Sequence, residues 1–394
     1  MKKAVAAVLT LLFTFSVLSR QSAANPPPTS DELSQGLWWL YHLRYDKSIE
    51  IYDHYIAAHP DDPAGYFYKA AADWWHLAQE FEYDQPDIQK RFDASVDLTL
   101  VKAQGLATTL DAKNPEEAKR KALAYLYWGG AEGLRGRWLV TQKRWAKAYF
   151  AGRDGFNFLK KAVALDPTLY DAYMGIGTYD YFSDTLSGFM GFLSAIFVRG
   201  DRHRGIREIE VAIEKGTHAR VESQVFLAEI YIFEEKQPQK GIALATALRQ
   251  EFPQSPLMHL MLITALYQDK QWDRVEEEAQ DYFLKSQSGI PWYNTRGVPP
   301  ALYCLGMADL WGHHDLEKAL EKFNRIIEDA PPNDPSRWIS FAFLRRGQIY
   351  DLKNERAKAK ADYSRVLKRM DIWGSHHQAS EFLKNAFTKE QTLD

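Results

Sequence analysis

The fold is decided most clearly by the stretch FLRRGQIYDLKNERAKAKADYSRVLKRMD, residues 343–371. Its small and aromatic residues recur at the spacing that packs two antiparallel helices together. Small side chains fall where the helices approach, and aromatic side chains fill the space beside them. The residues at these positions are Gly347, Tyr350, Ala359, Tyr363 and Val366. This stretch therefore predicts a helical hairpin.

The same spacing recurs elsewhere in the chain. It fits without any insertion through Gly36, Trp39, Ser48, Tyr52, Tyr55 and Pro60. Two further copies need one extra residue, which we place in the turn; they run through Ala228, Tyr231, Gly241, Ala245, Leu248 and Pro253, and through Gly306, Ala319, Phe323, Ile326 and Pro331. The pattern resembles the tetratricopeptide repeat (TPR), whose helix pairs are about 34 residues long. The resemblance implies an all-α superhelical solenoid of stacked antiparallel helix pairs, with the first helix of each pair lining a concave surface.

Apolar spacing and the positions of prolines divide the chain into repeats. Eight helix pairs are predicted, at 30–60, 63–113, 115–166, 168–217, 219–253, 255–287, 298–333 and 335–371, with a capping helix at 375–388. The second and third pairs are longer than the TPR pattern and predict extended helices. We expect N-terminal repeats at 30–217, with an apolar insertion at 183–200, and C-terminal repeats with their cap at 218–394.

The N-terminus has the pattern of a secretory signal peptide. Lys2 and Lys3 precede an apolar run that is shorter than a membrane span, and small residues follow at 22–24. We predict cleavage of residues 1–24, followed by a proline-rich linker at 25–29. No cysteine stands directly after the predicted cleavage position, which disfavours lipoprotein attachment. The predicted location is therefore periplasmic or secreted.

Composition limits the classes of partner and chemistry. The 394 residues carry 49 Lys and Arg against 52 Asp and Glu, a formal charge of −3 that gives no reason to expect nucleic acid. A single cysteine excludes an internal disulfide and any site built from several cysteines. Stability must therefore come from packing.

The segment LYDAYMGIGTYDYF, residues 169–182, is the candidate binding surface. Its aromatic and carboxylate side chains suit a peptide, sugar or aromatic ligand, because tyrosine offers an apolar ring and a hydroxyl together. The alternative is that these tyrosines only fill space between helices. The predicted ligand- or partner-binding residues are Asp171, Tyr173, Thr178, Asp180 and Tyr181, with Phe189, Met190, Phe192 and Phe197 from the insertion.

The insertion contains thirteen uncharged residues, LSGFMGFLSAIFV, at 186–198. They are too few to span a bilayer. Three interpretations stay open: a segment folded over the concave groove, a lid over a ligand, or a membrane contact helped by the basic residues that follow.

No catalytic, metal or cofactor motif emerges from the sequence. The run Gly129–Gly136 lacks the strand and the Lys-Ser or Lys-Thr pair of a phosphate loop. Gly129, Gly133 and Gly136 share one helix face, so we expect close contact with Gly152 and Gly155. The adjacent histidines at 313–314 and 376–377 point too far apart on a helix to chelate one ion together. Cys304 lies among apolar residues and is expected to be a buried thiol.

These observations predict a non-enzymatic, exported TPR-like protein that binds or scaffolds a protein or peptide in the cell envelope. Two alternatives remain. One is a periplasmic small-molecule-binding component of a transport system, with residues 183–200 as a lid. The other is a membrane-docked assembly factor that uses residues 186–198. The sequence does not specify an oligomeric state.

Overall fold

A computed structural model describes residues 29–79, 85–185, 200–331, 334, 336–372 and 374–391. These residues form α-helices joined by short turns, and no β-strand occurs among them. The predicted positions Phe189, Met190, Phe192 and Phe197 lie outside the described residues.

The described helices follow one another as consecutive pairs. The N-terminal helices are α1 (Glu32–Tyr41), α2 (Tyr45–Ala58), α3 (Pro63–Gln79), α4 (Pro86–Thr109), α5 (Pro115–Thr141), α6 (Trp145–Leu165), α7 (Ala172–Thr185) and α8 (Arg202–Lys215). The C-terminal helices are α9 (Arg220–Glu229), α10 (Pro238–Glu251), α11 (Pro256–Gln268), α12 (Trp272–Gln287), α13 (Val298–Met307), α14 (Leu316–Glu328), α15 (Arg337–Leu352), α16 (Arg356–Leu367) and α17 (Ser375–Lys384). Single π-helical turns, Ile230–Glu234 and Ala308–Gly312, extend α9 and α13.

Each helix packs against the next one along the chain, and several odd-numbered helices also contact the following odd-numbered helix. The second kind of contact joins α1 to α3, α3 to α5 and α5 to α7, and again joins α13 to α15 and α15 to α17. Crowding on the odd-numbered side curves the stack, so these helices form its inner wall. The chain is a TPR-like superhelical solenoid, which confirms the predicted fold class.

The predicted small and aromatic positions make the helix contacts within pairs. A Cβ atom added at Gly36 would lie 2.3 Å from the Tyr52 ring, and one at Gly347 would lie 2.5 Å from the Tyr363 ring. Both tyrosines are fully buried. Glycine is needed at these positions because the partner ring occupies the space of a side chain.

The third pair has a closer contact, which also matches the prediction. A Cβ atom on Gly129 would lie 2.7 Å from the Gly155 carbonyl oxygen, and one on Gly155 would lie 2.8 Å from the Gly129 carbonyl oxygen. The helices involved, α5 and α6, are 27 and 21 residues long. Here backbone meets backbone, and the contact supports the extended pair.

One left-handed residue marks the turn inside six of the pairs. These residues are Leu43, Lys143, Lys236, Lys270, His314 and Asn354, with φ between 51° and 61°. In the regular turns, the next residue donates its N–H to a carbonyl five positions earlier, as Arg144 does to Leu139. This Schellman-type bond ends the first helix and reverses the chain.

We predicted that the extra residue of the fifth and seventh pairs lies in the turn. The structure instead places it in the helix before the turn. The π turns at Ile230–Glu234 and Ala308–Gly312 absorb it. Because a π turn bonds residue i to i+5, it takes up one residue while the left-handed turn after it is kept. The sequence spacing showed that each of these pairs contains one extra residue, but its position is visible only in the backbone.

The superhelix turns tightly enough to bring its first pair against the end of the fifth pair and the connection that follows the sixth. Tyr41 lies 5.7 Å from Phe252 between ring centroids, and Tyr45 lies 5.4 Å from Trp292. Part of the inner wall is therefore covered by the chain itself.

Candidate functional site

The described residues of the predicted binding segment separate into two environments. Asp171 precedes α7, and its Oδ1 accepts the backbone N–H groups of His218 and Ala219 at 3.0 and 2.9 Å. Those bonds fix the entry into α9. Tyr173 is half-buried beside Tyr170, with 6.4 Å between ring centroids. These groups lie at the N-terminal end of the helix.

Further along α7, the other predicted residues are turned into helix packing. Asp180 and Tyr181 are each 1% exposed. The Tyr181 hydroxyl donates to Glu235 at 2.8 Å, and Asp180 accepts from Arg204 Nε at 2.5 Å. The Thr178 hydroxyl donates to the Met174 carbonyl oxygen at 2.8 Å. The five predicted residues therefore do not form one continuous surface.

Asp180 also lies beside a second carboxyl group. Burial, followed by the nearby charge of Asp180, raises the pKa of Glu208 on α8. Asp180 Oδ1 and Glu208 Oε2 are both buried, and neither has a hydrogen-bond partner among the described residues. This carboxyl pair borders the insertion that the sequence singled out.

The inner wall carries a more coherent group of side chains, which we call the inner-face cluster. Its members come from α3, α5, α9 and the turn before α9, and they meet where the third pair faces the fifth. The cluster consists of Tyr68, Trp74, Arg137, His218, Glu222, Phe226 and Glu229.

Arg137 is the centre of this cluster. Its guanidinium group lies 4.5 Å from the ring centroids of both Trp74 and Phe226, and it donates to Glu222. Two aromatic faces and a carboxylate hold the planar cation in one orientation. About 30% of the Arg137 side chain remains exposed. The group is thus ordered in advance and still reachable from water.

His218 connects the first two pairs to the start of α9. Its Nδ1 lies 2.6 Å from the Tyr68 hydroxyl, and its Nε2 lies 3.0 Å from Ser34 Oγ and 3.5 Å from Asp31 Oδ2. Partial burial opposes ionisation of Asp31, but hydrogen bonds from Ser34 and the neighbouring His218 lower the pKa of Asp31 below its usual range. The network holds α1 and α3 against the start of α9.

Glu229 gives the cluster an acidic edge. Its side chain is exposed to solvent, yet protein surrounds it closely enough to raise its pKa to about 7. Desolvation is the largest cause; Arg137 opposes it and Glu222 adds to it. A carboxyl group that is open to solvent and yet surrounded by protein is expected inside a concave wall. Such a wall lowers the local dielectric constant without closing the site.

Together these side chains provide an ordered cation, two carboxylates and aromatic faces. Such a set can bind an extended polar segment through hydrogen bonds and stacking. Sequence reasoning missed it. The available signal was the seven-residue spacing of Glu222 and Glu229, which places both on one face of α9.

A separate cavity of about 500 Å³ lies among the sixth to eighth pairs. It is lined by the indole rings of Trp272 and Trp311, by leucines, and by Lys270 and Lys389. Its volume is within the range of small-molecule sites. No helix in the described part of the chain has the length and apolar character required to cross a bilayer.

Comparison with known proteins adds little beyond the fold. No protein-family model matches the chain. No curated protein matches it significantly.

Among solved structures, the chain is similar to the C-terminal part of a TPR repeat-containing protein from Cytophaga hutchinsonii, with 14% identity over 88% of this chain and 98% of that chain, at a TM-score of 0.31. It is also similar to yeast Tom70, with 11% identity over 91% and 89% of the two chains and a TM-score of 0.36. A third is human IFIT1, solved as a dimer with PPP-AAAA, with 12% identity over 92% and 85% and a TM-score of 0.41. At these identities and TM-scores, the three structures carry no argument about the function of this chain.

Proposed function

We propose that this protein is exported and serves as a non-catalytic binding or scaffolding module of the cell envelope, which holds an extended protein or peptide segment against its inner wall. The observation that carries the proposal is the Arg137 guanidinium, fixed between Trp74 and Phe226 beside Glu222. Because the cation is already ordered, a flexible partner loses less binding energy to ordering the site.

The location rests on the N-terminal pattern. Cleavage after residue 24 removes three basic residues and leaves 46 basic against 52 acidic side chains, a net charge of −6. Sequencing the N-terminus of the protein recovered from the cell envelope tests this part. A chain that still begins at Met1 contradicts export by cleavage.

The binding surface is tested by site-specific photo-crosslinking in the native envelope. A benzoylphenylalanine at position 229 lies beside the Arg137 site, whereas the same residue at Val101, which is 64% exposed on the even-numbered helix α4, reports the outer wall. We expect a discrete protein adduct from position 229, and weaker labelling of the same adduct when Arg137 is replaced by methionine. Equal labelling from position 101 would contradict the proposal.

A second candidate function is the capture of a small molecule, which the cavity of about 500 Å³ beside Trp272 and Trp311 favours. Deletion of residues 186–198 separates the ideas. A receptor that uses residues 183–200 as a lid loses its small ligand, whereas a receptor that uses the cavity beside Trp272 and Trp311 keeps it. An inner-wall scaffold keeps its protein adduct, and a membrane-docked factor loses liposome association.

A further inference from the structure

A histidine and two carboxylates meet between the two helices of the sixth pair, outside the inner-face cluster. His259 on α11 is fully buried, and Glu278 and Asp281 reach it from α12. One potential ligand atom from each lies within 4.8 Å of the others. No spacing motif indicates this group, because its histidine and its acidic residues are about 20 positions apart in the chain.

The two distances from His259 Nε2 to the carboxylates lie on either side of the ligand separation around a zinc ion. His259 Nε2 lies 3.0 Å from Glu278 Oε2 and 3.9 Å from Asp281 Oδ2. Ligand atoms around a tetrahedral zinc ion are about 3.3 Å apart, given bonds of about 2.0 Å. Although Glu278 is close to Nε2, its direction does not meet hydrogen-bond geometry, so this buried nitrogen has no hydrogen-bond partner within the described residues.

The other ring nitrogen is held as it is in many metal sites. His259 Nδ1 lies 2.9 Å from the Tyr293 hydroxyl oxygen. When Nδ1 carries the proton and donates it to Tyr293, Nε2 keeps a free lone pair.

The site also has an entry path. A cavity of about 360 Å³ opens beside Glu278 and Asp281. Solvent can therefore reach the two carboxylates of the group, and zinc bound by three protein groups takes a water molecule in the fourth position.

Two cations compete for the same carboxylate. Lys285 Nζ lies 2.5 Å from Asp281 Oδ2, and a terminal guanidinium nitrogen of Arg249 lies 3.4 Å from it. A divalent ion has to displace the Lys285 ammonium group, which weakens metal binding. Removal of the Lys285 charge should therefore strengthen metal binding, which provides a test of the site.

We propose that His259 Nε2, Glu278 and Asp281 form a binding site for one divalent transition-metal ion, with zinc as the ion that this set of nitrogen and oxygen ligands fits best. The site would join α11 to α12 within the sixth pair.

The test is titration of the untagged, full-length protein with Zn²⁺ by calorimetry, and with Co²⁺ by visible absorption. We expect one ion per chain and a loss of affinity of at least about 30-fold in His259→Gln. Tyr293→Phe should weaken binding about 10-fold, as is usual for the loss of a partner that orients a ligand.

The decisive variant is Lys285→Met, because it removes a competitor and leaves the three ligands intact. We expect it to tighten Zn²⁺ binding about 10-fold, a gain that a misfolded variant would not produce. His313→Gln is the matched control, since His313 Nε2 also lies 3.0 Å from a carboxylate, that of Glu276, but at a more exposed position. Absence of Zn²⁺ binding, or equal affinity in His259→Gln and the unchanged protein, would overturn the proposal.

Discussion

The long central pairs and the short C-terminal pairs solve the same packing problem differently. In the eighth pair, Gly347 receives the ring of Tyr363, so a side chain fills the gap between the helices. In the third pair, Gly129 and Gly155 bring two backbones together along helices of 27 and 21 residues. A ring can shift when its neighbour changes, whereas a backbone cannot do so without moving its helix. The comparison teaches that one repeat architecture contains contacts of unequal tolerance.

The inner wall also differs between the central region and the C-terminal region. In the central region it carries the water-accessible Arg137, paired with the carboxylate of Glu222. Near the C-terminus its arginine, Arg345, is 7% exposed and donates to the neutral groups of Tyr303 and Gln348. A partner can therefore reach Arg137 but not Arg345, which is why the proposed site lies in the central region.

The largest expected effect distinguishes the two kinds of helix contact. Gly129→Ala should destabilise the protein by about 3 kcal/mol, because the added carbon would meet a backbone carbonyl oxygen at 2.7 Å. Gly347→Ala should cost about 2 kcal/mol, since a tyrosine ring can give way in part. Urea unfolding followed by circular dichroism measures both.

The matched control lies on the same helix. A Cβ atom at Gly133 would meet nothing within 4 Å, so Gly133→Ala should stabilise the protein by up to about 1 kcal/mol through helix propensity alone. If Gly129→Ala and Gly133→Ala behave alike, the backbone contact between α5 and α6 is wrong.

A smaller effect concerns the acidic edge of the inner-face cluster. The pKa of Glu229 is raised from 4.5 to about 7, so between those values the folded protein binds more protons than the unfolded chain, and stability falls as the pH rises. Glu229→Gln should therefore raise the melting temperature at pH 8 and leave it nearly unchanged at pH 4.5. Glu208 titrates in the same direction but is present in both proteins, so their difference isolates Glu229. If Glu229→Gln raised the melting temperature equally at both pH values, the raised pKa of Glu229 would be wrong.

The smallest effect tests the turns that both regions share. Lys143 has φ = 58°, a conformation that disfavours any side chain. Lys143→Gly should stabilise the protein by about 0.5 kcal/mol, once the greater freedom of glycine in the unfolded chain is taken into account. Its neighbour Gln142 has φ = −83°, so Gln142→Gly should instead destabilise it. Thermal unfolding compares the two, and a loss at position 143 would contradict the left-handed turn.

The sequence predicted the contacts that depend on local spacing. Gly347 and Tyr363 are 16 positions apart within one hairpin, and the glycines of α5 and α6 are also near neighbours in the chain, so helical periodicity was enough to pair them. The extra residue of each π turn was detected from the spacing, but it was wrongly assigned to the turn between the two helices. Spacing counts residues, but it does not say which hydrogen bond absorbs them.

The candidate site could not be predicted in this way. Arg137 and Glu222 are separated by 85 positions, and they meet only because several pairs together curve the stack. Asp180 and Tyr181 were selected for their chemistry, but small rotations of α7 decide whether such residues face a groove or a neighbouring helix. The curvature of the stack and the rotation of each helix depend on many small packing interactions, and no single sequence motif predicts them.

A double-mutant cycle on Arg137 and Glu222 tests most directly that the superhelix brings the third pair against the fifth. Unfolding free energies of Arg137→Met, Glu222→Gln and the double variant are compared with those of the unchanged protein. We predict a coupling energy of about 1–2 kcal/mol, as expected for charged groups in direct contact. A coupling within about 0.3 kcal/mol of zero, the result for independent distant sites, would contradict the inner wall described here.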